Sequence, residues 1–251
     1  MDAEIVSANP AARTGRARGR KTPDAVTSSE RRRKIRAMTV EQLAAFLGAG
    51  ASGRHATLWL TLADTGMRPG EALALRWEDV DLAGREIRVE RAVARGGRIK
   101  GTKTGTARTV DLTPRLTATL DRWQTTLEAE ALAAGHEVSP LVFPSEAGTP
   151  LDGINVARRF KAVLVRAGLP KFPLYSLRHT FASHLLAMGA PIVYVANQMG
   201  HSKPTTTLQH YAHFLPRGDR ALADRLEALR SGPQVVRKDL ARLSSPAVKS
   251  A

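Results

Sequence analysis

The sequence predicts a mainly α-helical fold with a small three-stranded antiparallel β-sheet, an α+β arrangement. Three observations carry this. After Thr39 the apolar residues recur mostly at intervals of three and four, the spacing that lines one face of a helix. Between Glu86 and Leu112 the interval drops to two, and Gly96, Gly97 and Gly105 supply turns between short strands. The chain has 251 residues, 43% of them hydrophobic, which is enough material for a core.

The first 37 residues hold ten basic side chains against four acidic ones, including the run Arg31-Arg32-Arg33. With few large apolar groups, this segment cannot repay its ordering entropy and reads as a basic flexible arm or linker. The folded domain is expected over 38–230, and a tail rich in Ser, Pro, Lys and Arg over 231–251.

Within the domain, Thr39-Val40-Glu41-Gln42 has the spacing of a capping box and opens a helix through Phe46 and Leu47. A second helix carries Leu58, Trp59 and Leu62 and ends near Thr65-Gly66. Arg68-Pro69-Gly70-Glu71 follows at a helix junction, where an arginine alone would be read as an exposed charge. In the strand region Ile87 and Val89 alternate with charges, a turn at Gly96-Gly97 follows, and Thr109 to Leu112 forms the third strand. Lys103 falls in the turn before it.

Residues 113–135 predict a long helix with Leu116, Leu120, Trp123 and Leu127 on one face. Another, over 151–169, exposes a basic face of Arg158, Arg159, Lys161 and Arg166. Three short helices come next. Leu177, Phe181, Leu185 and Met188 mark the first, stopped by Gly189 and Pro191; Ile192, Val195, Ala196 and Met199 mark the second, closed by Gly200. The third starts at Pro204 and carries Tyr211. A terminal helix over 217–230 has a strip of Leu222, Leu226 and Leu229.

The formal charge of +15 points to a polyanionic partner, because neutralising phosphates releases condensed counterions. Nucleic acid fits better than an acidic membrane, since no basic helix with an aromatic apolar face stands out. The arm with Arg31, Arg32 and Arg33 is then expected either to be a solvated linker or to track the DNA backbone, or both. There is no cysteine, hence no disulfide framework and no thiolate metal site. No apolar run approaches the roughly 20 residues of a membrane span, and no signal-like segment opens the chain, so a cytoplasmic protein is expected. His201, His210 and His213 lack a His-Glu-x-x-His pattern or a neighbouring carboxylate, so neither a metal nor another cofactor is expected.

Arg178-His179-Thr180, Gly200-His201 and Tyr211 occur in an order and at spacings that resemble the tyrosine recombinase (phage integrase) family. Arg68, with Glu71 in support, matches that family's first arginine motif, and Lys103 the position of its lysine. One position departs: the family usually has histidine three residues before the second arginine, and here that residue is Tyr175. The resemblance implies the family's catalytic-domain fold and its activity, the breaking and rejoining of double-stranded DNA at defined sites through a 3′-phosphotyrosyl link, without ATP. It also implies a homo-tetramer on synapsed sites.

In that scheme Arg68 and Arg178 hold the phosphodiester, Tyr211 is the nucleophile, Lys103 is the general acid, and His201 donates to the phosphate. A histidine at position 175 could take the nucleophile's proton at neutral pH, whereas the phenol of Tyr175 is a poor base, so a slow enzyme is expected. Family members usually carry a helical DNA-clamping domain first, whereas here only the arm precedes Thr39; the chain is expected to be a catalytic part or a short member. The alternatives are a catalytically impaired DNA-binding remnant and a type IB topoisomerase-like relaxing enzyme.

Overall fold

The computed structural model describes residues 36–94, 97–101, 107–215, 218 and 220–231. Helix α1 (Val40–Gly50) starts at the expected capping box, Thr39 Oγ1 accepting from Gln42 N at 3.2 Å and Gln42 Oε1 from Thr39 N at 3.0 Å. Helix α2 (Ala56–Thr65) is buried along nearly its whole length. Its threonines tolerate this because Thr61 and Thr65 donate back to the carbonyls of Thr57 and Thr61, at 2.8 and 2.6 Å. Phe46, Trp59 and Phe160 meet in the core with ring centroids 4.9 to 6.1 Å apart.

Gly66 ends α2 in the left-handed conformation, φ +60°. A Cβ there would stand 2.3 Å from Phe181 Cδ1. Gly66→Ala is therefore expected to destabilise the fold by more than the ~1–2 kcal/mol of the left-handed backbone alone. Urea unfolding at constant slope would measure it.

After α3 (Pro69–Leu73) and a 3₁₀ turn (Trp77–Asp79) come β1 (Val80–Asp81), β2 (Glu86–Val89), β3 (Arg91–Val93), β4 (Ile99–Gly101) and β5 (Arg108–Asp111). A three-stranded antiparallel sheet is present, but its membership differs from the expected one. Its order is β1-β2-β5, while β3 and β4 form a separate two-stranded ribbon. The cause is burial: Ile87 pairs with Val110 and both lie in the core, whereas Ile99, Lys100 and Gly101 are all exposed and have no apolar face to add. Lys103 and the run Arg31-Arg32-Arg33 lie outside the described residues.

Helix α4 (Pro114–Ala134), capped by Thr113, buries Leu116, Leu120 and Leu127 as expected. Trp123 is half-buried and donates Nε1–H to the Val142 carbonyl at 2.6 Å. Helix α5 (Gly153–Arg166) is capped by Asp152 and turns Arg158, Arg159, Lys161 and Arg166 outward.

Helix α6 (Ser176–Ala187) departs from its expected stripe. Phe181 and Leu185 are only half-buried and Met188 is exposed, while Ser176, Arg178, Thr180 and Ser183 are buried. The helix packs against both α2 and α7 (Ile192–Met199), so more than one of its faces is covered. Two of its buried hydroxyls are satisfied, Thr180 donating to the Ser176 carbonyl at 2.8 Å and accepting from Met38 N at 2.9 Å, and Ser183 donating to the Thr180 carbonyl at 3.1 Å. Ser176 Oγ is buried without a partner among the described residues. Helix α8 (Pro204–Tyr211), a 3₁₀ turn (Ala212–Phe214) and α9 (Arg220–Ser231) follow. Among the described residues no helix is long and apolar enough to cross a membrane.

Candidate active site

The site forms where α2, α3, α6 and α7 end or begin, against the edge of β5. Glu71 anchors it. Its carboxylate is 2% exposed, with Oε2 accepting from Arg68 N at 2.8 Å and Oε1 from Arg68 Nη1 at 2.8 Å. A second arginine, Arg108, forks onto both oxygens, Nη1 to Oε1 at 3.1 Å and Nη2 to Oε2 at 2.6 Å. Burial alone would raise the Glu71 pKa, but Arg108 and then Arg68 outweigh it and hold the carboxyl below its ordinary range.

Arg108 is a site residue that the sequence reading missed. A signal was present, because in β5 Arg108 alternates in phase with Val110 and Leu112, both buried, and so belongs to the inward face. An arginine on that face needs a partner, and Glu71 is the one it finds. Arg108 Nε also donates to the Gln198 carbonyl at 3.0 Å. Gln198 Oε1 in turn accepts from Asp111 N at 3.0 Å, and the Tyr194 hydroxyl donates to Asp111 at 2.7 Å. Helix α7 is thereby fixed on β5, and its C-terminus delivers Gly200-His201. Gly200 is left-handed at φ +66°, and a Cβ on it would meet Arg108 at 2.8 Å.

Arg178 is 1% exposed and spans two helix ends. Nη1 donates to the Gly66 carbonyl and Nη2 to the Met199 carbonyl, each at 2.6 Å. Its Nε is buried without a partner among the described residues. Two of a guanidinium's five donors are thus occupied by main chain. Arg68 is the more open of the pair, its side chain 32% exposed, with Nη2 reaching the Gly200 carbonyl at 3.5 Å.

His201 shares a hydrogen bond from Nδ1 to Thr207 Oγ1 at 2.7 Å, which fixes the ring and frees Nε2. Burial, reinforced by Arg178 and Arg68, lowers its pKa to about 4. Tyr211 is 2% exposed, and its hydroxyl shares a hydrogen bond of 2.5 Å with His179 Nδ1. Burial pushes the phenol above its ordinary range even though the Arg178 charge pulls the other way. Tyr175 is 39% exposed at the start of α6, its ring 5.9 Å from the Arg178 guanidinium carbon. It also interacts with the Arg68 side chain.

The structure therefore brings together Arg68, Glu71, Arg178, His201, Tyr211 and Tyr175, and adds Arg108 and His179. The family model described as Phage integrase family matches residues 33–217, some three-quarters of the chain. The chain belongs to the phage integrase family. Among its relatives is a tyrosine recombinase XerC-like protein of Caldanaerobacter subterraneus subsp. tengcongensis, 32% identical over 65% of this chain and 46% of that protein. An integrase of Streptomyces ambofaciens is 35% identical over 71% of this chain and 49% of its own length. The chain thus spans about half the length of these integrase-family relatives. In fold it is similar to the Tn1549 transposon integrase solved with transposon right-end DNA, at a TM-score of 0.63 and 21% identity, covering 84% of this chain and 66% of that one.

Proposed function

We propose that this integrase-family chain is the catalytic part of a site-specific DNA recombinase that breaks and rejoins strands through a 3′-phosphotyrosyl intermediate. The observation that carries the reading is that Arg178 is bonded at 2.6 Å to the Met199 carbonyl, at the helix end that delivers His201, while the next residue, His179, holds the Tyr211 hydroxyl at 2.5 Å. The scissile phosphate sits against Arg68, the remaining Arg178 donors and His201 Nε2. Two guanidiniums keep their charge at any physiological pH and offset the charge that develops on the phosphoryl oxygens. Tyr211 Oη attacks phosphorus, the P–O5′ bond breaks, and the 5′ oxygen leaves with a proton from Lys103. Attack by a 5′ hydroxyl on the phosphotyrosine reverses these steps and rejoins a strand, so bond energy is conserved. The formal charge of +15 supports double-stranded DNA as the partner. Family resemblance supports a homo-tetramer on paired sites.

The test is incubation with a pool of nicked duplexes whose central segment is randomised, followed by a search for protein–DNA adducts that survive detergent. Adducts with a restricted set of sequences are expected; their complete absence would reject the reading.

Tyr175, beside both guanidiniums, is assigned a hydrogen bond to the same phosphate. Losing a hydrogen bond to a charged group costs ~1.5–3 kcal/mol, so Tyr175→Phe is expected to slow single-turnover cleavage by about 10- to 100-fold with little change in binding. An unchanged rate would remove Tyr175 from the site.

A further inference from the structure

We propose that His179, and not the residue at position 175, is the general base that takes the proton from Tyr211 as it attacks phosphorus. The proposal rests on the strand-transfer reading above. Its ground is geometric: in the resting site the Tyr211 hydroxyl and His179 Nδ1 already share a hydrogen bond of 2.5 Å. A base must stand within hydrogen-bond reach of the proton it abstracts, and among the described residues this imidazole is the group that pairs with that hydroxyl.

The surroundings of His179 keep it in the accepting form. It lies one turn beyond Tyr175 on α6, half-buried, with its ring centroid 5.1 Å from that of Tyr175 and 5.7 Å from that of Tyr211. The charged and titratable groups acting on it are Arg178 on its own helix and His210 on α8. Burial first, then Arg178 and His210, lower its pKa to about 4, so at neutral pH the ring is uncharged, and in the tautomer with its hydrogen on Nε2 the Nδ1 atom accepts from Tyr211. A bound phosphodiester adds a negative charge beside it, which offsets Arg178 and strengthens the base in the complex where it is used. Tyr175 stands differently, 39% exposed and engaged with Arg68.

The step balances. The Tyr211 Oη–P bond forms as the proton passes to His179 Nδ1, the P–O5′ bond breaks, and the 5′ oxygen takes a proton from Lys103. On rejoining, the 5′ hydroxyl returns its proton to Lys103 and the imidazolium returns its own to Tyr211. His179 thus supplies the function that Tyr175, at the position where the family has histidine, supplies poorly.

The test uses the full chain and one duplex recovered from wild-type adducts in the randomised nicked pool, prepared with either oxygen or sulfur at the bridging 5′ position. His179→Asn retains an acceptor near Nδ1 but takes up no proton; His179→Ala opens a space that added imidazole can enter. Both are expected to bind DNA as the wild type does and to cleave it about 10²- to 10⁴-fold more slowly. Their rates should climb with pH through the neutral range, and imidazole should restore part of the Ala variant's rate. Sulfur, which leaves without a proton, should not restore either variant, whereas it should restore a Lys103→Ala variant. Undiminished cleavage by His179→Asn, or full recovery with sulfur, would overturn the assignment while leaving strand transfer standing. A wild type that forms no adduct with any member of the pool overturns both. If the Ala variant fails to fold, the Asn variant decides alone.

Discussion

Tyr211→Phe is expected to bind DNA as the wild type does and to form no covalent complex with it. The hydroxyl is the sole atom removed, and in the proposed reaction it is the atom that becomes bonded to phosphorus. Packing should survive, because the ring fills the same space at 2% exposure. The hydrogen bond to His179 is lost, and leaving a neutral buried acceptor unpaired costs ~1–3 kcal/mol. A denaturing gel of reactions with nicked duplex and a urea titration of the free protein measure the two effects separately. An adduct formed by the Phe variant would show that another side chain attacks.

The second large effect concerns stability. Glu71→Leu removes the carboxylate that Arg108 grips with two bonds, stranding a guanidinium whose side chain is 12% exposed. Breaking a buried ion pair from one side typically costs ~3–5 kcal/mol, because the remaining charge stays desolvated. Arg68 adds little to that figure, being one-third exposed and able to re-solvate. The double variant Glu71→Leu, Arg108→Met should recover most of the loss, since an apolar pair of similar volume carries no stranded charge. The pH dependence follows from the depressed Glu71 pKa: the folded state binds its proton less readily than the unfolded chain does. Its contribution is therefore complete above the ordinary carboxylate value of 4.5 and is lost as pH falls through the lower folded value. Urea midpoints from pH 7 down to pH 3 should fall more steeply for wild type than for the double variant.

Much of this was legible in the sequence where local chemistry decides structure. Thr39 with Gln42, Gly66, Gly135 and Gly200 are caps whose geometry depends on a few neighbouring residues, and each ends or begins a helix where its type requires. The motif spacings likewise brought Arg68, Arg178, His201 and Tyr211 to one place. What local pattern could not reveal was partnership across the chain. Val89 and Arg108 are opposite one another in the sheet although nineteen positions apart, so the expected meander became a β2-β5 pairing with a separate ribbon. Helix α6 shows the same limit, since Ser176, Arg178, Thr180 and Ser183, which lie off the apolar stripe, are buried once α2 and α7 pack against it. His179 was noted only as part of a motif; its pairing with Tyr211, 32 residues away, is a product of the tertiary fold.

Arg178 has a double allegiance with a bearing on how such chains decay. By closing the carbonyl ends of α2 and α7, it acts as a rivet between one segment 112 positions before it and another 21 positions after it. A lineage released from selection for strand transfer would still be selected to fold, and would keep this arginine for its masonry long after it could dispense with the hydroxyl of Tyr211. Presence of the arginine in a sequence therefore testifies first to architecture, to two carbonyl ends held together.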